Sequence, residues 1–252
     1  VKEWTKIVNG KKQIFMTLNG NLVHDKSLPK PKVVEPGKIN PENMITAPPS
    51  DAIVLLDGTK KSLENWRDFK GNPIRWDFVD GAIKAVKRKG SIFTKQKFGS
   101  CQLHLEWAAP ADDKGSGQGK GNSGVFLMGY EVQILDSYKN ETYRDGQAGA
   151  LYGRSAPLVN ACRPPGQWQS YDIIFQSPIF DKDGELCRKA AFTVLHNGVL
   201  IQNHHVLHGG TGWRGPHATT YYKPQPDKLP IQLQNHGDEV IFRNIWIREL
   251  DN

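Results

Sequence analysis

The chain has 252 residues, 38% of them hydrophobic and 23% charged, with a net charge of +7. That length admits one large β domain or two small ones, and the longest apolar runs, such as 52–56, are far too short for a membrane span. The positive excess sits in short clusters without interleaved aromatics (Lys11-Lys12, Lys60-Lys61, Lys87-Arg88-Lys89), which reads as solvated turns and argues against a nucleic-acid partner.

In chain order, residues 2–16 predict a strand pair about Asn9-Gly10. Residues 27–50 turn to Pro, Lys and Asn, with prolines at 29, 31, 36, 41, 48 and 49. Such a stretch cannot hold a ladder, so 1–50 reads as an extended N-terminal arm. From Asp51 onward short strands follow closely: 52–56, then 76–79 and 82–86 about Asp80-Gly81, then 91–94 and 102–107. A glycine-rich loop, 111–121, leads into a pair that turns at Met128-Gly129 and ends near Tyr138. Strands 169–176, 190–195 and 199–202 come next, the last two joined by Asn197-Gly198, and 231–234 and 240–250 close the chain. Asp-Gly and Asn-Gly between apolar runs are strong hairpin signals. No window has a helical period, so 51–252 is expected to be an all-β, two-sheet sandwich of jelly-roll type.

Strand side chains alternate between faces, and three strands set polar residues opposite apolar ones: His104 and Glu106, Glu131 and Gln133, Gln234 and His236. If these strands share a sheet, the six side chains converge on its concave face. Arg243 interrupts an apolar strand and is expected to pair with a carboxylate. Trp66, Trp168, Trp213, Tyr138, Tyr143 and Tyr152 lie in or beside loops, where aromatic faces suit sugar rings, although core packing explains some of them equally well.

Other features read more plainly. Cys101, Cys162 and Cys187 lack CxxC spacing, which excludes a zinc knuckle; Cys101 reads as a buried thiol, and a Cys162–Cys187 bridge stays open. His204, His205 and His208 are expected in a polar loop rather than as a ligand set. The run 181–185 reads as a hairpin turn rather than a calcium loop, and 115–121 is not a phosphate loop because no helix follows it.

One set of motifs goes further: LLDG at 55–58, LHLEW at 103–107, GNSGVFL at 121–127, YEVQILDS at 130–137, ALYG at 150–153, PGQWQSYDI at 165–173, LHNGV at 195–199 and LQNHGDEVIFRNIWIREL at 233–250. Together they resemble the domain-of-unknown-function 1080 family, the 3-keto-disaccharide hydrolase domain, over about 51–252. The resemblance implies a concanavalin A-like jelly roll, a secreted or periplasmic bacterial protein whose export signal has been removed, and an enzyme for glycosides already oxidised at sugar carbon 3. A 3-keto group acidifies the proton on carbon 2; a base removes it, the enolate expels the glycosidic oxygen, and water adds back. On that resemblance Glu131 is the leading base, with Glu106 second, and His236 the acid. Asn122, Gln133, Asp136, Tyr152 and Gln234 are expected to bind sugar, with Arg243 orienting a carboxylate or steadying developing negative charge. No cofactor is certain; a divalent ion, if used, has Glu106, Glu131 and His236 as candidate ligands. Two other readings stay open: a non-catalytic carbohydrate-binding module, and a structural domain that oligomerises through its arm.

Overall fold

The computed structural model describes residues 5–8, 11–14, 28–30, 32–33, 47–213 and 221–250. The short strands expected after Asp51 pair into two antiparallel sheets. The larger has eight strands: β4 (Ile53–Leu56), β6 (Asp77–Val79), β7 (Ala82–Lys84), β9 (Cys101–Ala108), β13 (Gln169–Gln176), β16 (Ala191–His196), β17 (Val199–Val206) and β19 (Ile241–Glu249). The smaller has five: β5 (Trp66–Arg67), β8 (Ile92–Phe98), β10 (Ser123–Leu127), β11 (Tyr130–Ile134) and β18 (Leu229–Leu233). Their order is β11-β10-β18-β8-β5, which puts β11 at one edge and β5 at the other.

Three hairpins turn where the dipeptides put them. Asp80-Gly81, Met128-Gly129 and Asn197-Gly198 all hold positive φ at both central residues, the backbone of a type I′ turn whose twist matches that of the strands. Met128, at φ 50°, lacks the local hydrogen bonding that lets Asn or Asp tolerate this region; burial of its side chain, 3% exposed, holds it there.

The sheets pack face to face as a jelly-roll sandwich. Leu103, Leu105 and Trp107 on β9, Tyr171, Ile173 and Phe175 on β13 and Phe242 on β19 meet Val125, Val132, Ile134, Ile231 and Leu233 in one apolar cluster. Tyr130 packs on Phe175 and Phe192 across the gap, and the Tyr171 hydroxyl donates to the Gln133 carbonyl at 2.8 Å, tying one sheet to the edge of the other. Burying an aromatic side chain of this size stabilises by roughly 3 kcal/mol, and Leu, Ile, Val and Ala side chains make up most of the remaining interior.

Several expectations change in detail. Strand β9 lies in the eight-stranded sheet, while β11 and β18 lie in the five-stranded one, so the three polar-faced strands do not share a sheet. Trp66 is core, 1% exposed, with its indole N–H donating to the Leu55 carbonyl. His204 and His205 belong to strand β17, not to a loop. Cys101 is buried as expected; Cys162 is also buried, Cys187 is exposed, and all three thiols are free. The run 181–185 is a plain turn between β14 (Ile179–Phe180) and β15 (Leu186–Arg188), its backbone N–H groups held by the Asp181 carboxylate. In the arm, β1 (Thr5–Val8) and β2 (Lys11–Ile14) form the expected pair, and β3 (Lys32–Val33) runs parallel to β12 (Val159–Asn160). Residues 28–30 and 47–50 are in neither strand nor helix, and the remainder of the arm's expected extended course lies outside the described residues.

Candidate active site

On the outer face of the five-stranded sheet, Glu131 and Gln133 of β11 point away from Val132 and Ile134, which enter the core. An outer face normally meets water, yet Glu131 is 5% exposed and Gln133 1%. The cover is local. Residues 149–152 add to the free edge of β11, where Gln133 N–H donates to the Ala150 carbonyl and Tyr152 N–H to the Glu131 carbonyl. Thr211 Oγ accepts from Glu131 N–H at 2.7 Å, and Gly212 N–H donates to the Tyr152 carbonyl, drawing the segment after β17 over the same edge.

Burial alone pushes the Glu131 carboxyl up to about 7, from 4.5 for a free glutamate; no cation or hydrogen bond contributes. Two phenols stand beside it. Tyr143 and Tyr152 share a hydroxyl–hydroxyl hydrogen bond of 2.5 Å, and burial, with the nearby charges of Glu131 and buried Asp145 adding to it, raises both above the ordinary tyrosine value. Both therefore hold their protons at neutral pH.

The rest of the pocket is a linked set of amides. Gln133 Nε2 donates to Gln118 Oε1 and to Asn122 Oδ1, each at 3.3 Å. Gln118 Nε2 donates to Thr142 Oγ and to the Gly146 carbonyl, and Asn122 Nδ2 donates to the Gln118 carbonyl at 2.6 Å. Asn122 N–H donates to Asp238 on the turn after β18. In register with Gly124, Gln234 carries a buried amide oxygen that no described group satisfies, an acceptor suited to a ligand hydroxyl.

Two glycines make the space. A Cβ on Gly124 would lie 2.6 Å from Glu131 Oε1 and 3.0 Å from the Phe126 ring, so both side chains lean over a position that has none. A Cβ on Gly146 would lie 2.2 Å from the Tyr143 ring and 2.8 Å from the Gln118 amide.

A separate polar cluster occupies the outer face of the other sheet. His104 Nδ1 bonds Asp172 at 2.7 Å, Arg243 Nε donates to Glu106 at 2.6 Å, and Asn244 Nδ2 donates to the other Glu106 oxygen at 2.9 Å. Trp246 stacks on His104, and the Arg243 guanidinium lies 4.0 Å over the Trp168 ring. Burial works to lower the His104 pKa, but its bonds to Asp172 and Glu106 override that and hold it at about 9. Burial likewise works to raise Glu106, and its three hydrogen-bonding partners bring it below the ordinary value. These opposite charges satisfy one another.

Comparison with known proteins adds to this geometry. The family model described as a 3-keto-alpha-glucoside-1,2-lyase-like domain matches residues 51–248. The chain belongs to this family. A "3-keto-disaccharide hydrolase" of Bacteroides thetaiotaomicron is 23% identical, covering 79% of this chain and 78% of that protein. A Parabacteroides distasonis structure, provisionally assigned as a glycosyl hydrolase, is 45% identical with a TM-score of 0.77, covering 93% of this chain and 99% of that one. A second structure from that organism, with the same provisional assignment, is 26% identical at a TM-score of 0.55, covering 79% and 99%.

Of the residues expected from sequence to act together in this member of the family, Glu131, Gln133, Asn122, Tyr152 and Gln234 share one face. Glu106 and Arg243 do not: their strands belong to the other sheet, and the sandwich core separates them from Glu131. Asp136 is fully buried beneath the site, paired with Lys120 at 3.0 Å and accepting from Tyr138 N–H, which anchors the glycine-rich loop. His236 is exposed on the turn that carries Asp238. Glu106, Glu131 and His236 therefore do not form one ligand set, and among the described residues no three His, Cys, Asp or Glu side chains gather as a metal site. Reading by strand missed Gln118, Thr142 and Gly124. The second glycine of GNSGVFL was the available signal, since a glycine inside a strand marks a close approach.

Proposed function

We propose that this protein cleaves 3-keto-glycosides at the Glu131 face by proton abstraction from carbon 2, elimination and hydration. The observation that carries this reading is Glu131 itself: a carboxyl whose pKa burial raises to about 7, beside two protonated phenols. A base of that pKa is about half ionised at neutral pH and strong enough to take a proton made acidic by a neighbouring ketone. An ordinary glycosidase instead needs a second carboxylate across the sugar. The other buried glutamate singled out by the sequence, Glu106, is on the opposite face and already paired with Arg243.

In the first step Glu131 takes the carbon-2 proton, and the electron pair left behind becomes the enolate of the 3-ketone. The amide N–H groups of Gln133 are the donors available for its oxygen, exchanging their long contacts to Gln118 and Asn122 for shorter charge-assisted bonds, and Asn122 Nδ2, which already donates to the Gln118 carbonyl, has a second N–H beside them. The enolate then collapses to a carbon 1–carbon 2 double bond as the glycosidic oxygen leaves. Tyr152 gives that oxygen its proton, and the Tyr143 hydroxyl stabilises the phenolate through their short bond. Water adds its hydroxyl at carbon 1 and gives its proton to the Tyr152 phenolate, while Glu131 returns its proton to carbon 2, so both groups are restored and the sum is hydrolysis. Every protein group in this sequence lies within the described site.

The reading is tested with paired substrates, a glucoside and its 3-keto derivative. Release of the leaving group from the keto form alone is the expected result, with Glu131→Gln losing it. Binding of both forms without cleavage, unaffected by that substitution, points instead to a sugar-binding module.

A further inference from the structure

The Glu131 pocket is one end of a longer structure. Register carries a single line of side chains across all five strands: Glu131 opposes Phe126, Phe126 opposes Gln232, Gln232 opposes Phe93, and Phe93 opposes Arg67. Directly opposed residues share a face, so all five point outward with the base. Four inter-strand steps span roughly 19 Å, far more than one sugar ring. The residues alternate usefully. Phe126 and Phe93 are half-buried rings on an outer face, where an apolar side chain gains nothing from the core, and Gln232 between them offers an amide.

The line ends in a cavity of about 410 Å3, lined by Arg67, Phe69, Lys70, Phe93 and Pro230 together with Asp68. Its charges are not balanced. Asp68 is 7% exposed and its carboxylate is taken up by the backbone N–H groups of Lys70 and Asn72 and by the Asn72 amide. Arg67 makes no ion pair among the described residues, and Lys70 lies over the Phe69 ring rather than against a carboxylate. Phe69 is itself 72% exposed, an aromatic face held at the rim with no core to pack on. A guanidinium without an ion pair, in a cavity that Phe69 and Phe93 also line, matches a planar carboxylate carried on a sugar ring.

We infer that the five-stranded face is an extended subsite for the leaving-group side of an oligosaccharide, with an acidic sugar held by Arg67 at its far end. The inference rests on the proposed chemistry only in taking Glu131 as the point of cleavage. The sugar runs across the strands, its rings over Phe126 and Phe93, and its terminal carboxylate meets Arg67 about four strand spacings from the bond that breaks.

The test separates binding from catalysis. Calorimetry compares two unoxidised tetrasaccharides, one neutral and one ending in a uronic acid, on the wild-type protein and on Arg67→Gln and Phe93→Ala. A charge-assisted bidentate contact predicts about tenfold tighter binding of the acidic probe, a preference that Arg67→Gln removes and raised salt weakens. Phe93→Ala weakens both probes. Equal affinity for the two tetrasaccharides, no binding of either, or a preference that survives Arg67→Gln overturns the inference. Turnover of a 3-keto-disaccharide is measured in parallel. Its absence counts against the proposed chemistry and leaves the binding result to stand on its own.

Discussion

At the scale of single residues, the protein holds one carboxyl in a state that weakens the fold. Glu131 has a folded pKa of about 7 against 4.5 for the free side chain, so the folded state binds its proton more tightly than the unfolded one. Its cost is absent below about pH 4.5, grows as pH rises to about 7 and then stays constant at roughly 3 kcal/mol. Glu131→Gln removes that cost. The variant is expected to be more stable than wild type by up to about 3 kcal/mol at pH 8, equal to it near pH 4.5, and slower in kcat/KM by about 10²- to 10⁴-fold. Denaturant unfolding at the two pH values, beside a rate assay, checks all three; a variant less stable than wild type at pH 8 contradicts the burial argument. In wild type, kcat/KM is expected to rise with pH through about 7 as Glu131 ionises. Gly124 gives a second handle. Gly124→Ala sets a Cβ 2.6 Å from the Glu131 oxygen, and because the flexible carboxyl can swing away, stability should change little while kcat falls at least about tenfold. Unchanged kcat would show that the close approach is incidental.

At the scale of elements, the two outer faces do different work. On β9, β13 and β19 the charges of His104, Asp172, Glu106 and Arg243 satisfy one another; on β11 Glu131 is left without an opposite charge. The first arrangement stabilises; the second leaves a carboxyl with a raised pKa, the state that the proposed proton abstraction calls for. His104 has a folded pKa of about 9 against 6.5 unfolded, so its contribution is fully present below about 6.5 and lost as pH rises through 9. Asp172→Asn is therefore expected to destabilise by about 1–2 kcal/mol near pH 6, discounted because Asp172 is one-third exposed, with the difference shrinking toward zero above pH 9. A melting series from pH 6 to 10 reads it; a difference that does not change with pH contradicts the assignment. Most strands were readable from sequence because alternation and the Asp-Gly and Asn-Gly turns are local signals. Sheet membership was not. His104-Glu106 and Glu131-Gln133 have the same alternating pattern, and the pattern cannot say which sheet a strand joins, since pairing here links residues such as Phe126 and Gln232 that are far apart in the chain. That one missing fact grouped Glu106 with Glu131. Trp66 was misread for a related reason: it sits in a two-residue strand too short to show alternation.

At the scale of the whole molecule, the sandwich carries the buried Glu131 cluster at one edge of the five-stranded sheet and a cationic cavity at the other, with Phe126, Gln232 and Phe93 between them. The glycine-rich loop, the turn bearing Asp238 and the segment 149–152 close the pocket around Glu131, and these are the parts whose positions depend on tertiary packing rather than on local propensity. Glu131, Gln133 and Asn122 lie close together because the GNSGVFL and YEVQILDS motifs run along the one hairpin that holds them. Tyr143 and Gln118 join them only through the folded loops. What unites these parts is one claim, that Glu131 removes the proton from carbon 2. The most direct measurement is the isotope effect on kcat/KM for a 3-keto-glucoside carrying deuterium at carbon 2, in wild type and in Glu131→Gln. The account predicts a primary effect of several-fold in wild type, with turnover at least about 10²-fold lower in the variant. Cleavage of the keto substrate without an isotope effect, at a rate that Glu131→Gln leaves unchanged, would contradict it.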